Sequence, residues 1–299
     1  MALNKEVWIN DLMENLIPDE SWMSELRDLS SFVENNKLHI GEAGAMPGVL
    51  VNNGSWPITV PATTRSDTDN EKSLFTYDTE NQVLRNAESV ELAYDKRQSV
   101  ILNHKNALRK KISITGAWNI CPDVDGTGKV LLKTSGAAYV DGINKKRAKF
   151  ADILEMQKSL DAYDLPREGR IAVLSPQHLA DLMLEDLSLY KMIIQSGQIF
   201  DFKLYRFNGN PYFTVSTTAN TIGAKAALTT AYVNTTHGIS SMFFQKQEAF
   251  KAIGTAEMYV AEKTPTERGD VIGFQVRALV QTMRASFKFA GGLVTVKES

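Results

Sequence analysis

The chain has a single cysteine, Cys121, among 299 residues. One thiol cannot form an internal disulfide, and it rules out a zinc site of the usual cysteine-rich kind. Histidine is nearly as scarce. His39, His104, His178 and His237 stand apart from one another, and none belongs to a His-Glu-x-x-His run, so a metalloenzyme signature is missing. No stretch of about 18 apolar residues occurs, and the N-terminus lacks a basic segment followed by an apolar run, so neither a membrane span nor a signal peptide is predicted. Excess charge is missing too. With 33 Lys plus Arg against 35 Asp plus Glu, the formal net charge is -2, which leaves no overall field to draw the protein onto nucleic acid or anionic lipid.

The remaining composition is that of a chain able to fill a core, with 43% hydrophobic residues. Two short amphipathic helices are expected on either side of Pro18, carrying Trp8, Leu12 and Leu16, then Trp22, Leu26 and Leu29. The glycine-rich run from His39 to Gly48 favours an extended crossing segment. From Val49 to Val83 the pattern suggests a long hairpin, with Trp56 to Val60 going out and Ser73 to Tyr77 coming back. Its polar tip, Thr63 to Lys72, should be exposed.

A long helix is predicted from about Asn86 to Ile114, with Val90, Ala93, Tyr94, Ile101, Ala107, Leu108 and Ile112 recurring on one face. A second, from about Lys146 to Tyr163, has Phe150, Ile153, Leu154 and Leu160 inward. Alternating elements follow: a strand at Arg170 to Leu174, a helix from Pro176 to Leu189, and strands at Phe202 to Phe207 and Tyr212 to Val215. The last sixty residues read as long strands, Glu257 to Lys263 and Val271 to Met283, so the fold class is α+β.

Chemistry is sparse. Asp125-Gly-Thr-Gly-Lys129 fails the phosphate-loop pattern at both ends. The same segment fits half a calcium loop, with Asp123, Asp125 and Thr127 at alternate positions, but Thr134 stands where a bidentate Glu belongs. Ser175-Pro176 is expected to start a helix, since no Gly-x-Ser-x-Gly surrounds it. The sequons at Asn53 and Asn234 are taken as loop residues. Basic clusters at Arg109 to Lys111 and Lys145 to Arg147 are expected on solvated faces or as complements to a helix C-terminus. No coherent set of nucleophile, base and oxyanion donors emerges, so no enzyme and no cofactor are predicted.

The order of segments carries more information than any one residue. Arm, polar-tipped hairpin, long helix, α+β unit and returning strands together resemble the major capsid (coat) protein of tailed bacteriophages, a fold shared with encapsulins and the herpesvirus capsid floor. The run from Phe150 to Pro176 resembles the helix, Pro-x-x-Gly-Arg, apolar strand and Ser-Pro series of phage coat proteins. Ile239 to Phe250 is similar to the segment where such proteins return from the A-domain.

The resemblance implies an N-terminal arm at 1–45, an E-loop at 46–82, a first P-domain part at 83–165 with its spine helix at 86–114, an A-domain at 166–245, and returning P-domain strands at 246–299. It implies a self-assembling shell of hexamers and pentamers around double-stranded DNA, with scaffolding and portal partners, formed in the host cytoplasm. The arm begins near Met1, which suggests a separate scaffolding protein. Trp8, Trp22 and Trp56 on the arms are expected to anchor contacts between copies or to serve local packing. Arg65, Asp67 and Lys72 at the hairpin tip are candidate inter-subunit contacts by location. An encapsulin-type compartment and a metabolic α+β enzyme are the alternatives.

Overall fold

The computed structural model describes residues 5–14, 16–18, 21–42, 64, 66–85, 96–139, 144–216, 218–264, 266, 269–284 and 289–298. Helix α1 (Lys5–Met13) is followed by short 3-10 turns at Trp22–Glu25 and Ser30–Phe32, with the two-residue strand β1 (Arg27–Asp28) between them. Then come β2 (Lys37–Glu42), β3 (Thr68–Ser73), β4 (Phe75–Asp78), β5 (Gln82–Arg85) and the long helix α2 (Lys96–Ile120). The middle of the chain gives β6 (Lys129–Lys133), α3 (Phe150–Asp161), β7 (Arg170–Leu174), α4 (Pro176–Glu185), α5 (Leu187–Ser196), β8 (Gln198–Ile199) and β9 (Phe202–Arg206). The remaining strands are β10 (Tyr212–Val215), β11 (Ile222–Lys225), β12 (His237–Gln245), β13 (Ala249–Thr264), β14 (Gly269–Thr282) and β15 (Ala290–Val294).

Two sheets organise these elements. In the first, β13 and β14 form a long antiparallel hairpin; β1 joins the outer edge of β13 in parallel, and β4 and β5 pair along the outer edge of β14. Helix α2 lies across this sheet. His104 meets Phe274 edge to face at 5.1 Å, and Asn119 Nδ2 donates to the carbonyl of Val280 at 2.9 Å. At 25 residues, α2 is about 37 Å long. It runs six residues beyond the Ile114 end read from the sequence, and the expected start at 86–95 lies outside the described residues.

The second sheet is mixed. Its order runs β11, β10, β12, β7, β9, β8, and β15 lies on the other side of β12 with β6 beside it. The β7–β9 and β15–β6 pairs are parallel, as strands joined through crossovers must be. All five residues of β7 are buried, which explains its unbroken apolar run Ile171 to Leu174. Two of the strands, β6 and β15, come from outside the 166–245 stretch that the resemblance groups together.

One apolar cluster joins α1, the Trp22 turn, α2 and the first sheet to the end of β12; a second joins α3, α4 and Ile193 to β6, β7, β9 and β15. Helix α3 faces the second cluster with Phe150, Ile153, Met156 and Leu160. Leu154, expected inward, is 41% exposed because the buried stripe passes through Met156 and not through it. Ala107 on α2 is likewise exposed.

Candidate assembly surfaces

The N-terminal segment is laid onto its own chain. Trp8, Leu12 and Leu16 are buried against α2 and β13. Arg109 Nε donates to the carbonyl of Leu16 at 3.2 Å, and Lys105 Nζ to that of Asp11 at 3.2 Å. Trp22 sits in a turn capped by Ser21, with its ring edge-on to Phe207 and Phe244 at 5.9 and 6.0 Å. In the single chain both indoles therefore serve internal packing, at 5% and 2% exposure. Trp56 and Arg65 lie outside the described residues.

The polar run expected as an exposed tip is in large part a strand. Thr68 to Ser73 pairs antiparallel with Lys37 to Glu42, so the crossing segment beginning at His39 is also partly a strand. Charge pairs line the outer face: Lys37 with Glu71 at 2.6 Å, and His39 Nδ1 with Asp69 at 2.9 Å. The Asp69 carboxylate raises the pKa of His39. Asp67 is exposed, just before β3. Lys72 is not at an exposed tip: it is buried, its ammonium donating to the carbonyl of Thr282 and lying 5.4 Å over the Phe250 ring. Paired with Leu38, it turns inward onto a small cluster of Leu29, Leu74, Phe250 and Leu279.

The Pro-x-x-Gly-Arg run has a structural cause. Gly169 adopts φ +80°, where an L side chain is strained, and Arg170 is then buried. The Arg170 guanidinium donates to the carbonyls of Leu165 and Pro166 and pairs with Asp161 at 2.7 Å, which holds that carboxyl below its ordinary pKa. These bonds fix the end of α3 to the start of β7. Ser175 then caps α4, its hydroxyl accepting from the His178 N–H, with Pro176 in the first turn, as read from the sequence.

His178 and Ser241 look like a base and nucleophile, 2.7 Å apart, but both are buried. The other ring nitrogen of His178 pairs with Thr295 at 2.8 Å, and the Ser241 hydroxyl accepts from the Ser175 N–H. The group ties α4 to β12 and to the segment after β15. A buried neutral imidazole follows, its pKa pushed down to about 4 by desolvation. Asp181 accepts from the Tyr139 hydroxyl and the Ala148 N–H, and burial raises its pKa.

The Asp123 loop is a plain turn: Gly126 and Lys129 bridge, and Asp125 Oδ1 accepts from the Leu131 N–H. Among the described residues no group of three His, Cys, Asp or Glu could hold a metal ion, and no helix is long and apolar enough to cross a membrane. Lys145 corrects the expectation of a solvated basic cluster: it is 1% exposed, with Nζ 2.8 Å from Asn234 Oδ1. Lys110 and Lys111 on α2 are exposed, whereas Arg109 is turned to Leu16.

Sequence reasoning missed α5. Asp186 caps it, accepting from the Ser188 and Leu189 N–H groups, and so breaks the expected 176–189 helix into two. Of its ten residues only Ile193 is buried.

The mixed sheet with its flanking helices, the long hairpin and the helix across it form one recognisable arrangement. The capsid of Ralstonia phage GP4 superposes with a TM-score of 0.65 at 11% identity, covering 92% of this chain and 88% of that one. The fold is that of phage capsid chains. The capsid fold is met again in cyanophage P-SCSP1u, at TM-score 0.58 and 15% identity over 92% of this chain and 86% of the other. A virus-like particle from Pyrococcus furiosus gives TM-score 0.58 and 10% identity over 97% and 98%. No protein-family model and no curated protein matches the sequence. The α+β capsid fold implied by the order of segments is thus the fold observed.

Proposed function

We propose that this chain is a shell-forming structural protein, the major capsid protein of a tailed bacteriophage. Copies would assemble as hexamers and pentamers into an icosahedral shell around double-stranded DNA, in the host cytoplasm, with scaffolding and portal proteins as partners. The observation that carries this reading is the likeness to capsid chains over nearly the whole length of both partners. A fold alone does not fix a function. The chemistry of the chain supports the reading: the His178–Ser241 pair is closed off from substrate and satisfied by structural bonds.

Contact with packaged DNA would be through phosphates and without sequence preference, with the exposed Lys110 and Lys111 as the available cations of the first basic cluster. The hairpin pair β2–β3 would gain from a neighbour, since two strands by themselves are marginal in water. Asp67 at its end, together with Trp56 and Arg65, remains proposed for contacts between copies.

The test is expression of the full chain alone and with its genomic neighbours, followed by size-exclusion chromatography and negative-stain electron microscopy. Closed shells, tubes or rings are expected. A monodisperse monomer under every condition would refute the reading. The contents of purified particles, DNA or protein cargo, separate a phage capsid from an encapsulin-type compartment.

A further inference from the structure

The turn between β9 and β10 reads Phe207-Asn-Gly-Asn-Pro211. Asparagine followed by glycine is a reactive pair. The next residue's backbone nitrogen can attack the side-chain amide carbon, and glycine, lacking a Cβ, leaves that nitrogen unhindered and its backbone free to turn. Whether a fold permits the attack depends on what holds the two groups. Asn208 is exposed, and among the described residues no hydrogen bond engages its side chain or the Gly209 N–H.

Two other positions set the contrast. Asn210 is 3% exposed, donates Nδ2 to the carbonyls of Val173 and Phe207, and precedes Pro211, whose nitrogen carries no hydrogen. Asp125-Gly126 is the corresponding acidic pair, and there both groups are engaged. Asp125 Oδ1 accepts from the Leu131 N–H at 3.2 Å, and the Gly126 N–H donates to the Lys129 carbonyl at 2.9 Å. Asn53-Gly54 lies outside the described residues.

We propose that Asn208 is a site of spontaneous modification in the folded chain. The Gly209 nitrogen bonds to Asn208 Cγ, the Cγ–Nδ2 bond breaks, and the Gly209 amide proton leaves with the departing amine as ammonia, closing a cyclic imide. Water then opens the imide at either carbonyl, giving aspartate or isoaspartate. Each event adds one negative charge to a chain of net charge -2, in a cleft of about 510 Å³ that Asn208 lines together with Lys110 and Tyr232. The isoaspartyl product also lengthens the main chain by one methylene beside Gly209. Space there is short: even a Cβ on Gly209 would stand 2.6 Å from Phe207 Cζ and 2.7 Å from Ile114 Cγ1. The turn must therefore shift against α2 when that product forms.

The reaction involves no second copy, so its outcome is read separately from that of the shell reading. The full chain is held in mildly alkaline buffer, well below its unfolding temperature, and digested at intervals for peptide mapping. Synthetic peptides of the two segments are held beside it. The peptide carrying Asn208 should gain about 1 Da and split into two peaks. Its rate should lie within about tenfold of the free peptide's, whereas Asp125, read as a second peak of equal mass, should isomerise more than about tenfold slower than in its free peptide. Asn208→Gln, an exposed substitution whose longer side chain closes the ring far more slowly, should keep the fold and remove the mass gain. Asn208 left intact in the folded chain while its free peptide reacts overturns the proposal. Equal protection of the two pairs, or a mass gain that survives Asn208→Gln, overturns it as well.

Discussion

The imidazole of His178 and the hydroxyl of Ser241 meet 2.7 Å apart in the buried interior between α4 and β12, and the folded chain holds that imidazole neutral. Its pKa is about 4 in the fold and 6.5 as a free group. Between those values the unfolded chain takes up a proton that the folded chain refuses, so stability falls as pH drops from 6.5 toward 4. The loss at pH 4.5 is on the order of 2 kcal/mol. His104 is shifted the same way by burial and adds to the slope. Urea unfolding at pH 7 and pH 4.5 should therefore give a smaller difference for His178→Gln than for wild type. Equal differences would remove His178 as the source.

Gly116 lies where α2 crosses β14. A Cβ there would stand 2.7 Å from Val280 Cγ1 and 2.8 Å from its Cβ. Alanine favours a helix over glycine by about 1 kcal/mol, but overpacking costs about 1 to 3 kcal/mol. Gly116→Ala is expected to lower stability, and paired with Val280→Ala to recover it. Denaturant midpoints of the two variants decide the matter.

How much was legible in the sequence follows from where burial signals exist. The apolar run of β7 and the Ser175-Pro176 cap were readable because one signal, apolar continuity or cap chemistry, decides each. Gly116 sits in an Ile-Thr-Gly-Ala-Trp run that reads as a helix end, when it is the small residue that lets a strand approach. The polar β3 has no apolar alternation to detect, since the residues it turns from solvent are Lys72 and Asn70, while the apolar Leu38 and Ile40 sit on its partner strand. Helix α5 was missed because the apolar run continues from α4 without a Gly or Pro, and the break lies in the Asp186 cap alone. Of the candidate contacts, Trp8 and Trp22 could not be separated from core residues by sequence, because an aromatic on an amphipathic helix reads the same in both roles.

Arg170 is nearly inaccessible and holds Asp161 and two carbonyls. Removing it takes the donor from the two carbonyls at the α3–β7 junction and leaves Asp161 with the exposed Arg167 alone. Arg170→Ala is expected to cost about 3 kcal/mol, near the range for breaking a buried pair. Thermal unfolding of the full chain measures it, and a loss below about 1 kcal/mol would place the pair among those that contribute little.

Phe243 packs edge to face with Phe202 at 5.3 Å in the second cluster. Phe243→Ala should cost about 3 to 5 kcal/mol. Leu154→Ala, on the exposed side of α3, should cost less than about 0.5 kcal/mol. Calorimetry of both variants compares a buried strand position with an exposed helix position around the same cluster.

The order of strands in the second sheet sets a timetable. Ser240 to Phe244 pair with Val294 to Ala290 on one edge, and Met242 to Gln245 pair with β7 on the other, so the first of these edges is filled only when residues 290–294 exist. Strand β6, made some 160 residues earlier, finds its parallel partner in that same segment. On a ribosome the nascent chain would hold β6 and one edge of β12 open until almost all of the 299 residues were synthesised. Closure of the second sheet is in this way postponed until the segment 290–294 is made, long after β6 and β7.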